Sequence, residues 1–303
     1  MRLVFTLYIV LLVKIVSAQF LELGAFGGVS NYQGDLARVA FEPVETHLAY
    51  GAFTKFNFNK YLGAKASIYK GRISGNDLNS TFDWRQRRNL SFDSPVTEGA
   101  LCLEYNVTGF MPHLRKRIFT PYVFAGIGLY HFNPRALYLG EWYDLQPLGT
   151  EGQGTTAYPE RKPYKLTQYS IPLGIGFKTS VSKQWNIGIE MGWRKTFTDY
   201  LDDVSTTYVA EEILVEENGL MSWELSNRMD ETEAGMYLNP DDSKLRGEDN
   251  NLDWYIFSGI IISYNFDLLR WDLKKAKYHD GSSKYSGIKE SRKKMGCPGV
   301  GKK

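Results

Sequence analysis

Six charged residues are flanked mostly by apolar or small neighbours: Glu22, Lys65, Glu104, Lys178, Glu190 and Arg194. The chemistry open to them is ion pairing. In an extended chain successive side chains point to opposite faces, so each charge lies opposite an apolar face. If the strands that carry them closed on one another, the charges would meet in a shared interior. They would then pair and plug it, or else line a conducting pore. An interior bounded by eight strands is just wide enough for side chains to fill, which favours the plug.

Other reactive groups are sparse. Phe197 to Ser205 contains Asp199, Asp202 and Asp203, and three carboxylates offer hard oxygens to Ca²⁺. Their spacing does not fit the twelve-residue calcium loop, and a hydrogen-bonded turn explains them as well. Asn31-Tyr32-Gln33-Gly34-Asp35-Leu36 reads as the close of the first strand, with Gly34-Asp35 as a turn. The histidines are His47, His113, His131 and His279, and none has a His or Cys at metal spacing. No nucleophile elbow or phosphate loop occurs. His131, near a strand end, leaves open a rim-site lipid hydrolase. Neither catalysis nor a cofactor or resident metal is the expectation. The cysteines are Cys102, which alternation turns inward, and Cys297, near the end of the chain. Cys297 either bonds a partner or stays a free thiol.

The elements that must hold these groups are strands. Trp185 to Arg194 alternates Trp, Ile, Ile, Met, Trp with Asn, Gly, Glu, Gly, Arg. One face is thus aliphatic with an aromatic at each end, the pattern of a strand that crosses a bilayer. Seven further candidates surround it: about 20–29, 46–58, 61–73, 97–110, 120–131, 165–180 and 253–266. The links after the second, fourth and sixth are short, and the others are long and polar. This predicts an all-β fold: an eight-stranded antiparallel transmembrane β-barrel with short periplasmic turns, long extracellular loops and both ends in the periplasm. The longest loop, about Asp199 to Leu252, is acidic, and a helix or hairpin near Tyr208 to Val215 is expected in it.

Bulk properties agree. Aromatics reach 15%, glycine 29 residues, and mean hydropathy is −0.34, as suits strands that are apolar on one side only. A net charge of +2 sets up no field for nucleic acid. Residues 1–18 carry Arg2, the apolar stretch Leu3 to Val13 and the small residues Ser17-Ala18, and read as a cleaved signal peptide. The barrel is expected over 19–266, in contact with outer-membrane lipid. Residues 267–303 carry nine Lys and two Arg against three Asp and one Glu, a net +7. They are expected as a basic periplasmic tail rather than a packed unit.

With strands, loops and tail in place, the chain resembles the PorG family of the type IX secretion system of Bacteroidetes. The likeness rests on Asn31-Tyr32-Gln33-Gly34-Asp35-Leu36, on Thr198-Asp199-Tyr200-Leu201-Asp202-Asp203-Val204-Ser205, and on the basic tail with its late Cys297-Pro298. The resemblance implies an outer-membrane barrel of the secretion and gliding machinery. It would tie a periplasmic ring, built from a lipoprotein and its partner protein (PorK and PorN), to the membrane. No catalytic residue carries over. The tail, including Lys274, Lys275, Lys277 and Cys297, becomes the candidate ring contact, and Cys297 would suit a covalent link to the ring lipoprotein. The alternative is a surface barrel that binds a ligand or adheres through its acidic loop.

Overall fold

The computed structural model describes residues 20–37, 42–112, 117–232, 240, 243–248 and 251–266. Eight long antiparallel strands form the wall: β1 (Phe20–Gln33), β2 (His47–Asn57), β3 (Leu62–Asn76), β4 (Ser91–Asn106), β5 (Phe119–Phe132), β8 (Thr167–Ser180), β9 (Trp185–Thr196) and β10 (Trp254–Phe266). Each pairs with its neighbours, β1 pairs with β10, and the β3–β4 ladder completes the ring. The result is a closed eight-stranded antiparallel barrel, so no strand edge of the wall is left open.

All eight expected strands are present with shifted boundaries: β3 runs on to Asn76, three residues past the expected end, and β4 stops at Asn106, four residues before its own. β1 runs on through Gln33, so Asn31 and Tyr32 belong to the strand rather than to the loop after it. β4 starts at Ser91, six residues before the expected start at Thr97, because it stays paired with β3 up to Asn76. Four-residue turns join β2 to β3 and β8 to β9, whereas the β4–β5 link, expected to be short, has twelve residues, close to the thirteen between β1 and β2; the longest links follow β5 and β9.

The loop end holds structure that alternation does not reveal. β5 continues as β6 (Arg135–Tyr138), which keeps the β4 register through Asp93↔Arg135 and folds back as β7 (Glu141–Asp144). Leu139 and Gly140 form its tip at φ 49° and 88°, the positive pair that a tight hairpin turn of right-handed twist requires. Helix α1 (Asp83–Arg88) follows β3, and α2 (Glu211–Ile213) and α3 (Leu220–Ser226) lie in the longest loop. The helical turns at 211–218 fall where a small element was expected.

Every wall strand sorts its side chains in the same way. Outward positions are apolar and exposed, among them Ile68, Leu101, Leu103, Ile127, Leu173, Ile175, Ile189 and Ile262. Such a surface would be unfavourable in water and fits hydrocarbon. Aromatics ring both ends. Trp185 and Tyr264 meet edge to face at 5.2 Å, and Phe119 stacks on Phe177 at 6.2 Å, at the turn end. Tyr50 and Tyr169 stand at the other. Inward glycines make room for inward rings: a Cβ on Gly176 would lie 2.3 Å from Cζ of Tyr122, and one on Gly174 2.5 Å from Cζ of Phe124.

Candidate functional site: a sealed lumen under a polar cap

The strands place all six sequence-selected charges inside the barrel, each buried. Lys65 Nζ donates to both carboxylate oxygens of Glu190 at 2.6 Å, and Tyr69 (3.2 Å) and Tyr122 (2.8 Å) donate to the same carboxylate. Lys178 donates to Glu104. Glu104 also meets Lys55 at 2.7 Å, and Lys55 lies 3.8 Å from Glu22. Glu22 further accepts from Ser263. Arg194 clasps Glu98 through Nε and Nη2 at 3.1 Å each, and Tyr255 donates to Glu98 at 2.7 Å. The eight charges therefore balance: Lys55, Lys65, Lys178 and Arg194 against Glu22, Glu98, Glu104 and Glu190.

Lys55 and Glu98 were not selected from sequence. Lys55 sits between the outward-facing Thr54 and Phe56, so alternation alone turns it inward. Glu98 lay beside the strand start assumed at Thr97. The balance matters because a lone buried charge costs several kcal/mol, and only a paired, hydrogen-bonded one is tolerated. Aromatic rings fill the remaining width, with Phe26 stacked on Tyr69 at 4.6 Å and Tyr130 against Tyr255 at 5.2 Å.

Above this ladder the two sequence motifs meet. Tyr32 Oη lies 2.5 Å from Asp202 Oδ2 and 3.0 Å from Asp253 Oδ1, while Leu201 N–H donates to Asp253 Oδ2 (2.9 Å). Burial pushes the Asp202 and Asp253 carboxyls well above the carboxylate range. Neighbouring Asp35 adds to this for Asp202, as Asp202 and Asp199 do for Asp253. Next to them, Glu151 accepts from Ser205 N and Thr206 N (2.9 Å each), Thr206 Oγ1 (2.7 Å), Tyr200 Oη (3.1 Å) and Arg246 Nη1 (3.0 Å). Asp203 accepts from Thr150 and from Tyr164 Oη (2.7 Å). Arg88 grips Asp77 with two bonds, at 2.7 and 2.8 Å, and reaches the Arg246 carbonyl at 2.5 Å. The loops thus form a folded lid tied by buried charges, and the carboxylates of Thr198 to Ser205 hold that lid together.

His131 faces outward and bonds Thr167 Oγ1 at 3.0 Å. Among the described residues no group of three or more His, Cys, Asp or Glu could hold a metal ion. Cys102 is a buried free thiol in the lumen wall. Residues 1–18, Lys274, Lys275, Lys277 and Cys297 lie outside the described residues.

An apolar belt around a charge-balanced, packed interior defines a class: a small membrane-type antiparallel β-barrel of eight strands. The chain belongs to the family described as "Domain of unknown function (DUF6089)", whose model matches residues 1–214. No curated protein matches the sequence. Among solved structures, the chain is similar to the N-terminal β-barrel domain of Pseudomonas aeruginosa OprF (10% identity, TM-score 0.35, 82% of this chain and 98% of that one). It is also similar to Ail, the attachment invasion locus protein of Yersinia pestis, in complex with the heparin analogue sucrose octasulfate (8%, 0.38, 82% and 99%). A third is Neisserial surface protein A (8%, 0.39, 82% and 98%).

Proposed function

We propose that the protein is an outer-membrane component of the type IX secretion and gliding machinery that anchors a PorK/PorN-type periplasmic ring. The observation that carries the reading is the sealed lumen. Four cations and four anions pair within the wall under a folded lid. A paired and packed interior of this kind supports a role in holding a position in the membrane rather than in passing solutes. Its work then falls to what projects from it. In sequence the last strand is followed by the basic chain 267–303, net +7, in which we assign Lys274, Lys275, Lys277 and Cys297 as the contact residues. The resemblance at Asn31–Leu36 and Thr198–Ser205 supplies the ring as partner.

Deleting 267–303 in the native cell tests this. The truncated barrel should still insert, and crosslinked ring proteins should no longer co-purify with it. Equal recovery of the ring would overturn the proposal. Non-reducing electrophoresis of Cys297→Ser membranes separates a covalent link from a free thiol.

A second reading is a surface barrel that binds a ligand through its loops. The folded, charge-locked lid favours it, because an inert anchor has no need of ordered loops. Loss of surface binding on removal of residues 211–226, with secretion intact, would select this reading.

A further inference from the structure

On β3 the outward column runs Leu62, Ala64, Ala66, Ile68, Lys70, Arg72. Four residues of apolar wall give way to two cations at the loop end. Asp93, across the β3–β4 ladder, accepts from Arg72 Nε, and its other oxygen accepts from Arg135 Nη2 at 3.1 Å. Two guanidiniums from different strands therefore flank one carboxylate, a local excess of one positive charge that Glu45, elsewhere in the cleft, offsets formally. Both keep open surface, the Arg72 side chain being 51% exposed and that of Arg135 36%. They border a cleft of about 300 Å³ that Leu137 and Trp142 also line. Arg135 lies over the Trp142 ring at 5.4 Å. Glu45 is the other carboxylate of the cleft, and its oxygens are taken by Ser74 and by Asn79 (2.5 Å).

We infer that this cleft binds the phosphorylated sugar headgroup of an outer-leaflet glycolipid. Arginine guanidinium is suited to phosphate, since it donates several bonds in one plane. An exposed indole beside it offers a flat apolar face to a sugar ring. Position selects the source. Arg72 is four residues beyond Ile68, roughly 10 Å above it once the strand tilt of about 40° is allowed for. By the same rise Lys70 stands roughly 5 Å above Ile68, so the two cations start within the polar layer, about 5–8 Å deep on each side, and reach its outer edge. Because Arg72 stands on the outward column of β3, a lipid headgroup alongside the barrel meets it directly. The inference rests on the outer-membrane placement proposed above and is independent of the ring.

The test uses the full-length protein, extracted in mild detergent or reconstituted in phosphatidylethanolamine vesicles that contain rough lipopolysaccharide. Native mass spectrometry counts the glycolipid retained per barrel, and heat-modifiable migration in gels reports folding separately. Wild type should retain phosphorylated glycolipid. R72Q/R135Q should retain at least about tenfold less, as expected for the loss of two charge-assisted contacts. K195Q, on an outward rim position of β9, should be unchanged. If R72Q/R135Q fails to insert because Asp93 is left unpaired, the R72Q/D93N/R135Q protein provides the same reading. Equal retention of dephosphorylated glycolipid, or wild-type retention by a folded variant, would overturn the inference. So would binding of inorganic phosphate without the glycolipid.

Discussion

Tyr32 and Asp202 lie 170 residues apart in sequence and 2.5 Å apart in space, hydroxyl to carboxylate. One ends the first strand and the other follows the seventh wall strand, so a single bond joins the two motifs that stood out in the sequence. Tyr32 Oη also lies 3.0 Å from Asp253 Oδ1, so one hydroxyl bridges two buried carboxyl groups. Tyr32→Phe keeps the ring against Phe92 (4.9 Å) and removes only the donor. A loss of about 1–3 kcal/mol is expected for leaving buried acceptors short of a partner. The temperature at which the folded gel band converts to the unfolded one should fall, with insertion unaffected.

The lid should loosen as pH rises. Burial pushes the Asp203 carboxyl up to about 6, against the pull of Arg246. A carboxyl raised in this way holds its proton more tightly in the folded lid than in the open chain. Its contribution is complete below the ordinary value of 3.8 and is lost as pH climbs through about 6. Asp202, Asp253 and Asp35 are raised too and extend the trend upward. Amide exchange over residues 199–206, corrected for intrinsic rate, should therefore be slower at about pH 5 than at about pH 7.5. The opposite order would mean that these groups are ionised and well paired.

In the lumen, breaking a pair should cost more than removing it. Lys65→Met leaves Glu190 buried with only the hydroxyl donors Tyr69 and Tyr122. Loss of one partner of a buried pair costs about 3–5 kcal/mol, whereas replacing both by apolar groups is often neutral. K65M and E190L should each lower the unfolding midpoint in denaturant, and K65M/E190L should recover most of the loss. Planar-bilayer recordings on K65M should show openings that wild type lacks, if the pair also seals the interior.

Arg246 holds the longest loop to the rest of the lid. It bonds Glu151 at 3.0 Å, the Ser226 carbonyl at 3.1 Å and the Asp203 carbonyl. Arg246→Met strands a fully buried Glu151 without its cation. External protease on intact cells should then cut within 199–252 several-fold faster than in wild type, with the wall strands protected.

Period-two alternation, aromatic ends and the order of short and long links fix eight strands, their inward and outward faces, and closure. The physical reason is local: a strand that faces lipid on one side and a packed interior on the other must carry that contrast in its own residues. Hence Glu22, Lys65, Glu104, Lys178, Glu190 and Arg194 could be placed inside from sequence. Which charge meets which could not, because Lys65–Glu190 and Arg194–Glu98 join strands far apart in the chain and depend on the register around a closed ring. The lid was hidden for the same reason. Asp202, Asp203 and Glu151 sit in irregular segments without periodicity, and their roles appear only when Tyr32, Arg246 and Tyr164 arrive from elsewhere. The Arg72–Asp93–Arg135 cluster was likewise decided in three dimensions, by a β5 extension that no alternation pattern announced.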